Sequence, residues 1–170
     1  MNSEKLRELQ SPLKSKYKEN PEEAIVTLSS IGKIGDGVTC KVDTGKAMVE
    51  AGLHPATGGD GMAACSGDML LDALVACAGV TLNAVATAIE VDLGSNTEIR
   101  AEGDLDFRGT LGVDKEAPVG FKEIRLTFHL DTNASEEQIA SLIKLTERYC
   151  VVFQTLNTKP GLVTKHEVVG

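Results

Sequence analysis

The chain has 170 residues, 42% of them hydrophobic and 25% charged, which is ordinary usage for a folded protein and enough length for one core. Its 25 Asp and Glu against 17 Lys and Arg leave a formal charge of −8, which repels nucleic-acid phosphates and anionic membrane surfaces alike. The expected organisation is a single domain over 1–170, with an arm over 1–20 and a core over 21–170.

The opening residues are charged and lack the apolar stretch of a secretory signal, so the expected compartment is the reducing cytoplasm, where thiols stay free. Ser3 to Lys18 reads as a polar helix with Leu6, Leu9, Leu13 and Tyr17 on one side and Pro12 interrupting it, packed on a neighbour. Three short strands are expected next, over 24–31, 38–42 and 46–50, separated by the turn signals Gly35-Asp36-Gly37 and Asp43-Thr44-Gly45. His54 to Gly61 is a glycine-rich loop without phosphate-loop spacing.

Met69 to Ile89 is almost continuously apolar. Asp72, Thr81, Asn83 and Thr87 interrupt it, Asp68, Glu90 and Asp92 flank it, and no Lys or Arg anchors either end, which argues against a membrane span. A helix apolar on every side must then be buried in protein, wrapped by sheet or shared between subunits, with Ser66 as its N-cap. Two strands with strict alternation follow, over 98–107 and 124–131, each with one wet face. Asn133 to Cys150 reads as a second helix opened by a Ser135/Gln138 capping box, its stripe of Ile139, Leu142 and Ile143 carrying Cys150 inward. Leu162 to Val169 reads as a last strand. Strands grouped rather than alternating with helices predict an α+β fold around an antiparallel sheet.

Of the four cysteines, Cys40, Cys65, Cys77 and Cys150, none forms a C-x-x-C pair, and His54, His129 and His166 share no metal-ligand spacing. No metal and no cofactor is expected. Cys40 and Cys65 read as structural, His54 as surface, and Asp72 with Asn83 as a satisfied polar pair on one face of the long helix. Cys77 and Cys150 read by themselves as core thiols, and burial in apolar surroundings keeps such thiols protonated. Cys77 lies too deep in its helix for that helix's own N-terminus to activate it.

The segment Ser66-Gly67-Asp68-Met69-Leu70-Leu71-Asp72-Ala73-Leu74-Val75-Ala76-Cys77-Ala78-Gly79 resembles the part of OsmC-like proteins in which an acidic residue opens the central helix and a reactive cysteine follows. Leu145 to Val152 resembles their second cysteine segment. The resemblance implies an intertwined homodimer with active sites at the subunit interface. It also implies reduction of organic hydroperoxides by a Cys77 sulfenic acid that Cys150 resolves to a disulfide, an external thiol then restoring both. Asp68 stands where that family's acidic residue orients an activating arginine. No arginine lies between Arg7 and Arg100, which leaves Arg7 or Lys46 as the candidate cation. The alternative is a dimeric OsmC-like protein that binds a small apolar or thiol-reactive ligand without turnover.

Overall fold

The computed structural model describes residues 3–35, 40–42 and 51–168. Four strands form an antiparallel sheet in the order β2-β1-β5-β6, with β1 Ile25–Ile34, β2 Cys40–Val42, β5 Glu98–Asp106 and β6 Phe121–His129. Alternation decides which face is dry: Ile99, Ala101 and Leu105 are buried, while Arg100, Glu102 and Asp104 point the other way. On that wet face Arg125 clamps Asp104 through two hydrogen bonds of 2.6 and 3.0 Å, and Thr27 donates to the same carboxylate at 2.6 Å. The register places Gly103 opposite Ile124, and a Cβ there would lie 2.5 Å from the Phe121 ring, so the absent side chain is what lets that ring lie across the strand.

Against the dry face lies α2, Ser66–Ala88, which buries Leu71, Leu74, Val75, Ala78 and Leu82 against β1 and β5. Two further helices, α4 Glu136–Tyr149 and α5 Val151–Asn157, pack on α2. A short helix, α3 Phe107–Thr110, ends β5. The small parallel pair β3 Ala51–Gly52 and β4 Ala64–Cys65 closes the glycine-rich loop at its base. The α+β class, the antiparallel sheet and the central helix are as expected.

Several boundaries differ from the sequence reading. Pro12 does not interrupt the arm: α1 runs unbroken over Ser3–Glu19, because the proline faces solvent, where its ring and the bond it forfeits cost least. The arm packs on its own chain, with Leu13 against the core, Tyr17 buried, and the Tyr17 hydroxyl donating to the Ala56 carbonyl at 2.9 Å. Ser66 is already helical, and Cys65 occupies the cap position without a side-chain cap bond. Leu162 to Val168 is exposed and carries no strand, since alternation alone cannot form a ladder without an adjoining edge. The expected strand over 46–50 lies outside the described residues.

The central helix also differs in its surroundings. One side is buried, but Met69, Ala73, Val80 and Ala84 form an exposed stripe at spacings of four and seven along the other. Its carboxyl end turns off through a Schellman motif, in which the Val91 N–H donates to the Ala86 carbonyl at 2.9 Å and the Glu90 N–H to that of Thr87 at 3.4 Å. Glu90 holds the left-handed position, φ 58°, that glycine usually takes.

Candidate functional site

The capping box expected for α4 is present, with Ser135 and Gln138 bonded reciprocally, and the helix buries Leu142 and Thr146 toward α2. It stops at Tyr149 because Cys150 leaves helical geometry, at φ −72° and ψ 108°, and α5 starts at once from Val151. Cys150 therefore closes one helix and caps the next. Its backbone N–H donates to the Thr146 carbonyl at 2.9 Å, and its Sγ accepts from the Phe153 N–H at 3.5 Å. The thiol is fully buried.

Cys77, on α2, faces this kink. It is half-buried, and the side chains of Cys77 and Cys150 are in hydrogen-bonding contact. Burial pushes the Cys77 thiol up, but the Val152 N–H, the Cys150 thiol, the Val151 N–H and the Thr81 side chain all bond to its sulfur, and together they hold it below the ordinary thiol value. Cys150 goes the other way, pushed up to about 11 mainly by burial and further by Cys77, with the Phe153 N–H opposing. The two neighbouring thiols thus titrate in opposite directions, Cys77 toward the thiolate and Cys150 toward the thiol.

Sequence reading placed both cysteines facing inward but did not expect the donors that lower the first. The two backbone donors come from the start of α5, a helix the sequence does not announce, because Tyr149-Cys150-Val151-Val152 contains no Gly or Pro to mark a break. The only local sign is Cys150 itself, a small side chain able to accept from the N–H three residues on, as an N-cap does.

Asp68 lies in the first turn of α2, nine residues from Cys77, about two and a half turns away and on the opposite side of the helix. Burial raises its pKa, nearby His54 lowers it and Asp72 raises it. Within one chain Asp68 and Cys77 are not brought together. The side chains of Arg7, Cys40 and Lys46 lie outside those described, and the groups acting most strongly on Cys77 are neutral donors. Cys65 is free and half-buried at the start of α2. No group of three or more His, Cys, Asp or Glu suited to a metal ion occurs among the described residues.

The family model described as OsmC-like protein matches residues 58–165, a span that contains both cysteines, the capping box and Asp68. The chain belongs to the OsmC-like family. Solved OsmC-like structures share its fold. A hydroperoxide resistance protein from Jannaschia sp. CCS1 superposes with a TM-score of 0.60 at 19% identity, covering 85% of this chain and 95% of its own. An OsmC-like protein from Mycoplasma pneumoniae gives 0.55 at 17%, covering 79% and 86%. None of the curated proteins matches the chain in sequence.

Proposed function

We propose that this OsmC-like protein is a cytoplasmic, homodimeric thiol peroxidase that reduces organic hydroperoxides. The observation that carries the reading is the pair of sulfurs in contact at the α2–α5 junction, with Cys77 lowered and Cys150 raised. In the proposed cycle the Cys77 thiolate attacks the outer peroxide oxygen, the O–O bond breaks, and the alkoxide takes a proton and leaves as an alcohol. Cys77 is now a sulfenic acid. The Cys150 sulfur attacks it, water leaves with the Cys150 proton, and a Cys77–Cys150 disulfide remains for two external thiols to reduce.

An organic substrate is favoured by the surroundings. A cavity of about 350 Å³ between α5 and β6 has an apolar side of Leu74, Phe121, Leu126, Phe153 and Leu156 and a polar rim of Lys122, Glu123, Glu147 and Asn157, and it begins one turn from each cysteine along its helix. The dimer is favoured by the exposed stripe on α2, where Ala73 and Ala84 leave room for close approach and Cys77 lies at the edge. Asp68 would then serve the interface rather than the Cys77 of the same chain.

One observation favours a second reading, a ligand-binding protein with inert thiols: the donors that lower Cys77 are neutral, so the activation has no cation behind it among the described residues. One equivalent of cumene hydroperoxide separates the two. Free-thiol counting should show two thiols lost in the wild type and none lost rapidly in Cys77→Ser, with Cys150→Ser stopping at a sulfenic acid. A wild type that keeps all its thiols selects the binding protein.

A further inference from the structure

The loop ahead of α2 is held far more firmly than a connection needs to be. The His54 Nδ1 accepts from the Ala56 N–H at 3.0 Å, the buried Thr57 hydroxyl donates to the His54 carbonyl at 2.9 Å, and the His54 ring stacks on Phe107 at 5.0 Å between centroids, 18° from parallel. Helix α1, some forty residues earlier, braces the same turn twice, through Tyr17 to the Ala56 carbonyl and through Gln10 Nε2 to the Thr57 carbonyl at 3.2 Å. Phe107 is fixed in turn by α3, where Arg108 grips the buried Asp106 carboxylate through bonds of 3.0 and 2.6 Å. With Nδ1 accepting, the ring donates through Nε2, which has no hydrogen-bond partner among the described residues and shares its surroundings with the Asp68 carboxyl.

That imidazole lines a cavity of about 380 Å³ whose walls include Leu53, Leu70, Leu105, Phe107, Val119 and Phe121, with Thr57, Cys65, Ser66 and Thr110 as its small polar members. The volume falls within the range of small-ligand sites, and a mostly apolar lining with a few polar groups, here a firmly oriented imidazole and small hydroxyls, is their usual composition. It is a separate place from the sulfur pair, since Cys65 at its edge is twelve residues from Cys77, about 18 Å along α2, and Phe121 is the wall it shares with the cavity beside α5.

We infer that this chamber is a binding site for a small apolar molecule bearing a hydrogen-bond acceptor, a carboxylate or carbonyl, which the His54 Nε2–H anchors while its apolar part fills the space between Leu70, Leu105 and Phe121. The site does not depend on peroxidase turnover. The experiment is an NMR titration of the full chain with octanoate, reading the ring protons of the three histidines. A saturable shift at His54, with His129 and His166 unmoved, is expected. His54→Phe keeps the stack but removes the donor, and Val119→Trp fills the mouth from a position 66% exposed, where a larger side chain does not disturb the core. Each should weaken octanoate by about tenfold, read for both variants from the line broadening of octanoate's own methylene protons, whereas Cys77→Ser should bind as the wild type does, so a failed peroxidase reading leaves this outcome intact. No saturable shift at millimolar octanoate, or binding that survives either chamber variant, overturns the inference.

Discussion

At position 77 a thiolate is stabilised by short-range donors: two backbone N–H groups, a thiol and a hydroxyl. Such donors act at contact distance and are not screened, unlike a cation several ångströms off in a partly wet site. Alkylation of Cys77 by iodoacetamide should therefore follow a pH midpoint below the ordinary thiol value and change little between low and high salt. Cys150 should stay unreactive until the pH nears about 11. Mass-resolved labelling reads each site separately. A midpoint for Cys77 in the ordinary range, or one that rises steeply with salt, would contradict the donor account. The two cysteines were legible in the sequence because their flanking segments are distinctive, but a lone residue does not show which N–H groups will be folded against it. His54 was read as surface for the same reason: its stacking on Phe107 joins residues more than fifty apart in sequence.

Among the elements, those with strong periodicity were foreseen, and those set by contacts were not. Strands β5 and β6 and the capping box of α4 follow from local pattern, since alternation and a Ser-x-x-Gln spacing carry their own geometry. Helix α5 and the parallel pair β3–β4 exist because packing on α2 and closure of the loop favour them, and Leu162 to Val168 lacks the neighbouring edge its pattern asks for. The exit of α2 was likewise unmarked, since Glu90 stands where a glycine would have signalled the turn. Glu90→Gly removes a Cβ from a left-handed position and should stabilise the fold by about 1 kcal/mol, raising Tm by roughly 2–4 °C. Calorimetry checks this. An unchanged or lower Tm would mean that the Glu90 side chain contributes more than its backbone strain costs.

At the scale of the whole molecule, the long apolar helix is what the proposed dimer rests on. Its buried side satisfies the core of one chain, and its exposed side, from Met69 to Ala84, has no Lys or Arg and no acidic residue other than Asp72. Sequence reading expected burial all round; the single chain supplies half, and a second copy is the proposed source of the rest. Val80 is exposed in the isolated chain, so Val80→Lys should fold normally but place an unpaired charge between the helices. Sedimentation should shift from dimer toward monomer at micromolar concentration. A wild type that is monomeric, or a variant that sediments as the wild type does, would remove α2 from the interface.

The central claim is a peroxide-driven bond between two particular sulfurs. Peptide mapping after treatment with one equivalent of cumene hydroperoxide, with remaining thiols blocked before digestion, tests it most directly. The account predicts one linked species joining the peptides of Cys77 and Cys150, with Cys65 recovered in blocked form. Linkage through Cys65 or Cys40 instead, or full recovery of blocked Cys77, would contradict it.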